Sequence, residues 1–204
     1  METIRNDESR LFDNQMMEVL SRSNAIAVIT LYYIISGAIV LYGAVESGLA
    51  FSTQVLLFVS GLIAFTLTEY LVHRYIYHSL RLKKMESWFY IVHEIHHQRP
   101  KDKKRLTLPL IVAVLAGPLV YLIFWLFLRN YTLFFFPGFL SGYASYLLIH
   151  YSLHTQNFKN GMFRYLWKHH AIHHFKNDQV AYGVSSPLWD LVFGTMPSKE
   201  QRNF

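Results

Sequence analysis

The sequence predicts an all-α integral membrane protein, with four transmembrane helices in two hairpins and a cytosolic, histidine-rich helical cap. Three observations predict it. The apolar residues, 52% of the 204, gather into four runs nearly free of charge. Eighteen of the 19 Lys and Arg fall on one side of those runs. All eleven histidines lie on that same side or in the last turn of a run. At this length the chain reads as one domain, residues 1–204.

The spans are expected at about 24–45, 49–72, 106–128 and 131–151. Each is close to the ~20 residues that cross ~30 Å of hydrocarbon at 1.5 Å per residue. Residues 1–23 are polar, include acids, and are followed by no small-residue cleavage site after the first run. They therefore read as an N-terminal cytosolic segment rather than a signal peptide. The joints Glu46-Ser47-Gly48 and Arg129-Asn130 are short enough to make each pair of runs a tight antiparallel hairpin.

Charge sets the orientation. Arg5, Arg10 and Arg22 precede the first span, nine Lys and Arg occupy 73–105, and six occupy 152–204. The hairpin turns hold only Arg129. The positive-inside rule then puts both termini and the central segment in the cytoplasm, with 73–105 and 152–204 forming the cap. The net charge of +6 is thereby a consequence of topology, and no nucleic-acid partner is expected. With no cysteine, any metal site must use histidines and carboxylates.

The histidines fall into four sets: His73 and His78 in HRYIYH, His93, His96 and His97 in HEIHH, His150 and His154 in HYSLH, and His170, His173 and His174 in KHHAIHH. On a helix, residues at i, i+3 and i+4 share a face, so each triplet forms one imidazole surface and His150/His154 a pair. His73 and His78 are about 140° apart on an ideal helix, so either the helix bends there or they serve different metals. Ten imidazoles are too many for one ion and suit two metals with four or five nitrogens each. His169 is the spare, a neighbour rather than a ligand. His73 and His150 end their spans, so the metals belong at headgroup depth.

His93-Glu94-Ile95-His96-His97 also fits the zinc-protease pattern H-E-x-x-H, in which the Glu polarises water. That reading would leave most of the other clusters without a purpose. A metal-storage or metal-transport protein is the rival from another class. Transport would call for His or acids well inside the spans, and the span interiors lack them.

The segments EYLVHRYIYH, HEIHHQRPKDKKRL, HYSLH and KHHAIHHF…YGVSSPLWDLVFGT resemble the fatty acid hydroxylase superfamily, which includes sterol desaturases. The likeness is greatest to fatty acid 2-hydroxylases and covers nearly all of residues 60–195. It implies a His-coordinated di-iron centre, with zinc possible in purified protein, that uses O₂ to hydroxylate an unactivated C–H bond. The ligand pattern it implies is His73, His78, His93, His96, His97, His150, His154, His170, His173 and His174, with no further catalytic residue. Family members vary at the position of Glu94. Eukaryotic 2-hydroxylases often carry a fused cytochrome domain. This chain starts about 23 residues before its first span, so electrons are expected from a separate cytochrome- or ferredoxin-type donor. Those enzymes also tend to have an acid just after the Tyr of the fourth span, where this chain reads Tyr146-Leu147.

Around the ligands, Glu69 lies one turn before His73 and is expected to accept from a ligating imidazole, as a bare charge there would be costly. Asp190 in PLWDLVFGT matches the family motif and is expected in the same role. Asp102 and Arg105 are expected to pair within their loop, and Phe134-Phe135-Phe136 to pack or face lipid. The expected function is an O₂-dependent oxidoreductase of lipid metabolism, hydroxylating a lipid acyl chain at carbon 2 of a fatty acid or sphingolipid N-acyl group. Sterol, carotenoid or sphingoid-base hydroxylation or desaturation on the same scaffold is the alternative.

Overall fold

The computed structural model describes residues 14–203 apart from 21, 86 and 109. Arg5 and Arg10 of the expected cytosolic segment lie outside the described residues. Among those described, every regular element is helical. In chain order these are α1 Gln15–Leu20, α2 Ala25–Glu46, α3 Phe51–Val72, α4 Leu80–Lys84 and α5 Trp88–Gln98. They continue with α6 Leu110–Leu128, α7 Thr132–Thr155, α8 Gly161–Phe175, α9 Leu188–Val192 and α10 Lys199–Arg202. A π-helical turn, His73–Tyr77, prolongs α3, and a 3₁₀ turn, Arg129–Tyr131, links α6 to α7.

Three segments are long and apolar enough to cross a membrane: Ala25–Glu46, Phe51–Tyr77 and Ile111–Thr155. The first two match expected spans. The third, 45 residues long, takes in both remaining runs because only the 3₁₀ turn separates them. At that turn Arg129 adopts the left-handed conformation, with φ 50°. Beyond it, the rings of Tyr121 and Phe136 meet at 5.3 Å and those of Phe124 and Phe139 at 5.2 Å. Leu41, Leu56, Leu115 and Phe127 are among many large apolar side chains that face outward. A hydrocarbon solvent suits such a surface and water does not.

α7 is the axis of the bundle. Although α2 and α3 are joined through residues 47–50, each packs along α7 rather than chiefly on the other. Glycines make the α3–α7 contact possible. A Cβ at Gly61 would lie 2.0 Å from the Phe135 carbonyl oxygen, and one at Gly138 2.0 Å from that of Phe58. The helix backbones therefore touch, which is how helices gain contact where lipid removes the hydrophobic drive. Across the α2–α7 contact, the Ser36 hydroxyl donates to the Pro137 carbonyl at 2.8 Å, and the Tyr33 and Ser145 hydroxyls meet at 2.8 Å. The core is built from Val28, Ile29 and Tyr32 of α2, Ala113 of α6, and Phe136, Leu140, Ala144 and Leu147 of α7.

The segment before α6 is tied to the start of α2. Ser23 N–H donates to the Lys104 carbonyl at 2.8 Å. Arg105, buried, binds Glu18 at 2.7 Å and Asp102 at 3.1 Å. The Asp102–Arg105 pair is thus a loop contact, and Glu18 extends it to α1.

Candidate metal centre

The ten expected histidines come together as two groups of five, each able to hold a metal ion. His73, His78, His93, His97 and His173 form the first. His96, His150, His154, His170 and His174 form the second. Neither triplet stays whole. His93 and His97 of α5 serve the first group and His96 the second, while His170 and His174 of α8 serve the second and His173 the first. The i, i+4 pair shares one direction, and the i+3 ring, about 60° from one member on the helix and about 100° from the other, points to the other centre. Two short helices thereby line both centres at once. The groups adjoin, with His97 stacked on His174 at 4.2 Å between centroids.

The His73/His78 spacing is resolved by the π-helical turn, where His78 N–H donates to the His73 carbonyl five residues back, at 3.2 Å. The wider turn brings i and i+5 to one face, so both rings reach the same group. π-bulges inside helices are rare and concentrate at functional sites.

The nitrogens converge as ligands would. His93 Nε2 lies 3.2 Å from His73 Nε2, 2.9 Å from His78 Nε2 and 3.0 Å from His97 Nε2. In the second group, His150 Nε2 lies 3.0 Å from His96 Nε2 and 3.1 Å from His154 Nε2. One ring nitrogen carries at most one proton, so a nitrogen with three such neighbours cannot satisfy all of them by hydrogen bonding. Imidazoles bound at right angles to an ion at 2.0–2.1 Å would hold their nitrogens about 2.9 Å apart. The donor set therefore fits a metal in each group. Protonation is disfavoured as well. Burial, then repulsion from neighbouring rings, holds His93, His96, His170 and His173 well below the ordinary imidazole range. Burial likewise brings His97 to about 4. Neutral imidazole is the form that binds metal.

The carboxylates depart from expectation. Among the described residues Glu69 hydrogen-bonds no histidine; it accepts from the Val184 and Ser185 N–H groups at 2.7 and 3.0 Å, and from the Ser185 hydroxyl. Its side chain is turned to the 180–185 segment, whose N–H groups hydrogen-bond it. Asp190 does accept from an imidazole, but from the spare His169, at 2.9 Å. It also accepts from the Tyr182 and Gly183 N–H groups, each at 2.9 Å. Two first-group rings are held by backbone carbonyls: His73 Nδ1 donates to Tyr182 at 2.5 Å and His173 Nδ1 to Val180 at 2.8 Å, while His78 Nδ1 faces the Asp178 carboxylate at 3.6 Å. No sequence pattern marks a carbonyl, so these were missed. Glu94 belongs to neither group and accepts from Tyr90 and Gln98.

A cavity of about 320 Å³ opens between α2, α3, α6 and α7 and ends at the histidines. Phe65, Val120, Phe139 and Leu140 give it apolar walls, and Phe136 lines it rather than only packing or facing lipid. At its inner end it meets His73 and His93 of one group and His96 and His150 of the other. Tyr77 stacks on His93 at 4.7 Å and Tyr146 on His150 at 5.6 Å, so a tyrosine borders each centre.

The fatty acid hydroxylase family model matches residues 58–195, a stretch holding every one of these histidines. The chain belongs to the fatty acid hydroxylase family. It is 34% identical over 193 residues to a dihydroceramide fatty acyl 2-hydroxylase of Arabidopsis thaliana, covering 92% of this chain and 80% of that one. It is also 34% identical to a fatty acid 2-hydroxylase of Rattus norvegicus, over 71% of this chain but only 40% of the relative. Among solved structures it resembles full-length scs7p, of which only the hydroxylase domain is visible. That match has a TM-score of 0.78 and 28% identity, and covers 92% of this chain and 72% of the other. With its apolar helices and membrane-enzyme relatives, this family member is an integral membrane protein and an oxidoreductase of the hydroxylase type.

Proposed function

We propose that this fatty acid hydroxylase inserts oxygen at carbon 2 of a fatty acyl chain, free or carried as the N-acyl group of a sphingolipid. The observation that carries this reading is the apolar cavity that runs between the membrane helices and ends at both histidine groups. An acyl chain laid along it would have its polar head beside the cap and its first carbons beside the rings. The acyl 2-hydroxylase names of the relatives point the same way.

The ten histidines are the ligands in this reading, five to each of two irons. The bound metals would supply the O₂ chemistry, drawing electrons from a separate cytochrome- or ferredoxin-type protein. The chain's own residues do the rest. His73 and His173, their Nδ1 protons given to backbone carbonyls, present bare Nε2 atoms to a metal. The apolar walls exclude water from the reacting carbon and hold it in one register. Tyr77 and Tyr146 fix the orientation of the rings they stack on.

The topology completes the proposal. Ile111–Thr155 counts as two spans folded back at Arg129, supported by the ring contacts across that turn and by a length near twice the ~30 Å of a bilayer core at 1.5 Å per residue. Four spans then leave the termini and the histidine cap together on the cytoplasmic side, as the Lys and Arg distribution favours.

Expression in cells lacking 2-hydroxy acyl lipids tests the function. Lipid mass spectrometry is expected to show 2-hydroxy acyl chains appearing with the wild-type chain and not with His96→Ala. An unchanged 2-hydroxy pool, or a hydroxylated sterol or sphingoid base in its place, would refute it.

A further inference from the structure

The two histidine groups differ in what stands behind them. Behind the first lies a strap, residues 180–185. Its Val180 and Tyr182 carbonyls accept from His173 and His73. The Tyr182 ring meets His73, His78 and His173 edge-on at 5.7, 5.7 and 5.5 Å. Between the two carbonyls Ala181 is buried and left-handed, with φ 57°. A residue with a Cβ holds that conformation only where its surroundings impose it.

The surroundings are two carboxylates acting from opposite ends. Asp190 takes the N–H groups of Tyr182 and Gly183. It is itself fixed by the Thr195 hydroxyl at 2.7 Å and by His169. Glu69 takes the N–H groups of Val184 and Ser185. Thr195 closes the loop by accepting from Ala181 N–H at 2.9 Å. Four consecutive N–H groups are thus held by two side chains, and the carbonyls on the other edge are aimed at the rings.

The second group has no such strap; the one backbone carbonyl directed at its rings among the described residues is that of Leu106, at His150. Among the described residues, the Nδ1 atoms of His96, His170 and His174 are buried without a hydrogen-bond partner. On that outer edge these rings are held by packing alone, and the inner nitrogens of His96 and His170 meet other rings of the same group. Outer acceptors that fix a ligating histidine change metal affinity by about 10- to 100-fold.

We infer that the two metal sites are unequal: the strapped first site holds its metal firmly, the second releases its metal first, and Glu69 and Asp190 are positioning residues that act through the strap. The inference rests on the ligand assignment proposed above. It extends that assignment by giving the two carboxylates a task at one site only.

The test is a chelator challenge of full-length protein in detergent, loaded with zinc, with metal content followed against time. Wild type is expected to start near two zinc per chain and release them in two phases of equal amplitude. His96→Ala should abolish the fast phase and His78→Ala the slow one. Glu69→Gln and Asp190→Asn should each speed the slow phase about 10- to 100-fold and leave the fast phase alone. Thr195→Val, which removes one bond to Asp190, gives a milder version should Asp190→Asn fail to fold. Helix content by circular dichroism confirms that each variant is folded. A single release rate for both zinc ions would overturn the inequality while upholding the ligand set. Acceleration of the fast phase by Glu69→Gln would overturn the positioning role. Histidine variants that keep both zinc ions would overturn the ligand assignment and this inference together.

Discussion

The apolar body and the histidine cap are held by opposite means. In the body, backbone meets backbone: α3 and α7 touch at Gly61 and Gly138, and the contact needs no charge. In the cap, two short helices bring neutral rings edge to edge, and bare nitrogens converge within 2.8–3.2 Å. The body is complete as protein. The cap gathers two groups of nitrogens that could each hold a cation, which would relieve their crowding. This contrast teaches that chemistry and architecture are separable here, and each can be broken without the other.

The largest expected effect comes from the cap. His173→Ala should lower product formation by at least about 100-fold, in line with loss of metal or its orientation. The helix content of purified protein should stay within a few per cent of wild type. Loss of helix together with loss of product would show that cap and body are not separable. The body gives the converse case. Gly138→Val would force side-chain carbons into the Phe58 carbonyl, and overpacking of this kind costs about 1–3 kcal/mol or more. Thermal unfolding in detergent should fall by several degrees, with zinc still bound below the transition. An unchanged midpoint would mean that α3 and α7 do not meet as closely as described.

A subtler change sharpens the boundary between the two. Gly117 lines the cavity, and a Cβ there would meet nothing within 4 Å. Gly117→Leu should therefore fill cavity space without disturbing the body or the rings. Product chain lengths, read by lipid mass spectrometry, should shift to shorter acyl groups by several-fold in ratio. An unaltered distribution would mean that the acyl chain lies elsewhere. The smallest effect is expected at Glu94, whose partners are Tyr90 and Gln98. Glu94→Gln should keep turnover within about twofold, whereas the protease reading of HEIHH would require Glu94 for any activity.

The body was legible because membrane helices leave a compositional trace: long runs of apolar residues nearly free of charge. The short joint at Arg129-Asn130 was legible too; what composition could not tell was its 3₁₀ conformation, or that α2 and α3 would each choose α7. Those depend on shape, on where Gly61 and Gly138 let backbones close. The cap was legible as a set of ten histidines, since imidazoles at i, i+3 and i+4 have few other uses at such density. Their partition was not. Helical periodicity groups His93, His96 and His97 on one face, but two targets placed side by side divide that face. The pairing of His73 with His78 needed a π-helical turn, which no residue preference announces. Glu69 stood out as a costly acid in an apolar span and Asp190 by its motif, yet both accept from N–H groups of a strap that sequence reads as ordinary loop, and the imidazole that Asp190 meets is the spare His169.

The measurement that bears most directly on this function is oxygen tracing. Purified protein loaded with iron, given a reductant, an electron-transfer protein and an N-acyl or free fatty acyl substrate, would be supplied with ¹⁸O₂. One ¹⁸O atom is expected at carbon 2 of the acyl chain, with none in the His173→Ala variant. Label arriving from water, label at a carbon far down the chain, or equal labelling in the variant would contradict a hydroxylase whose histidine groups meet the head end of the cavity.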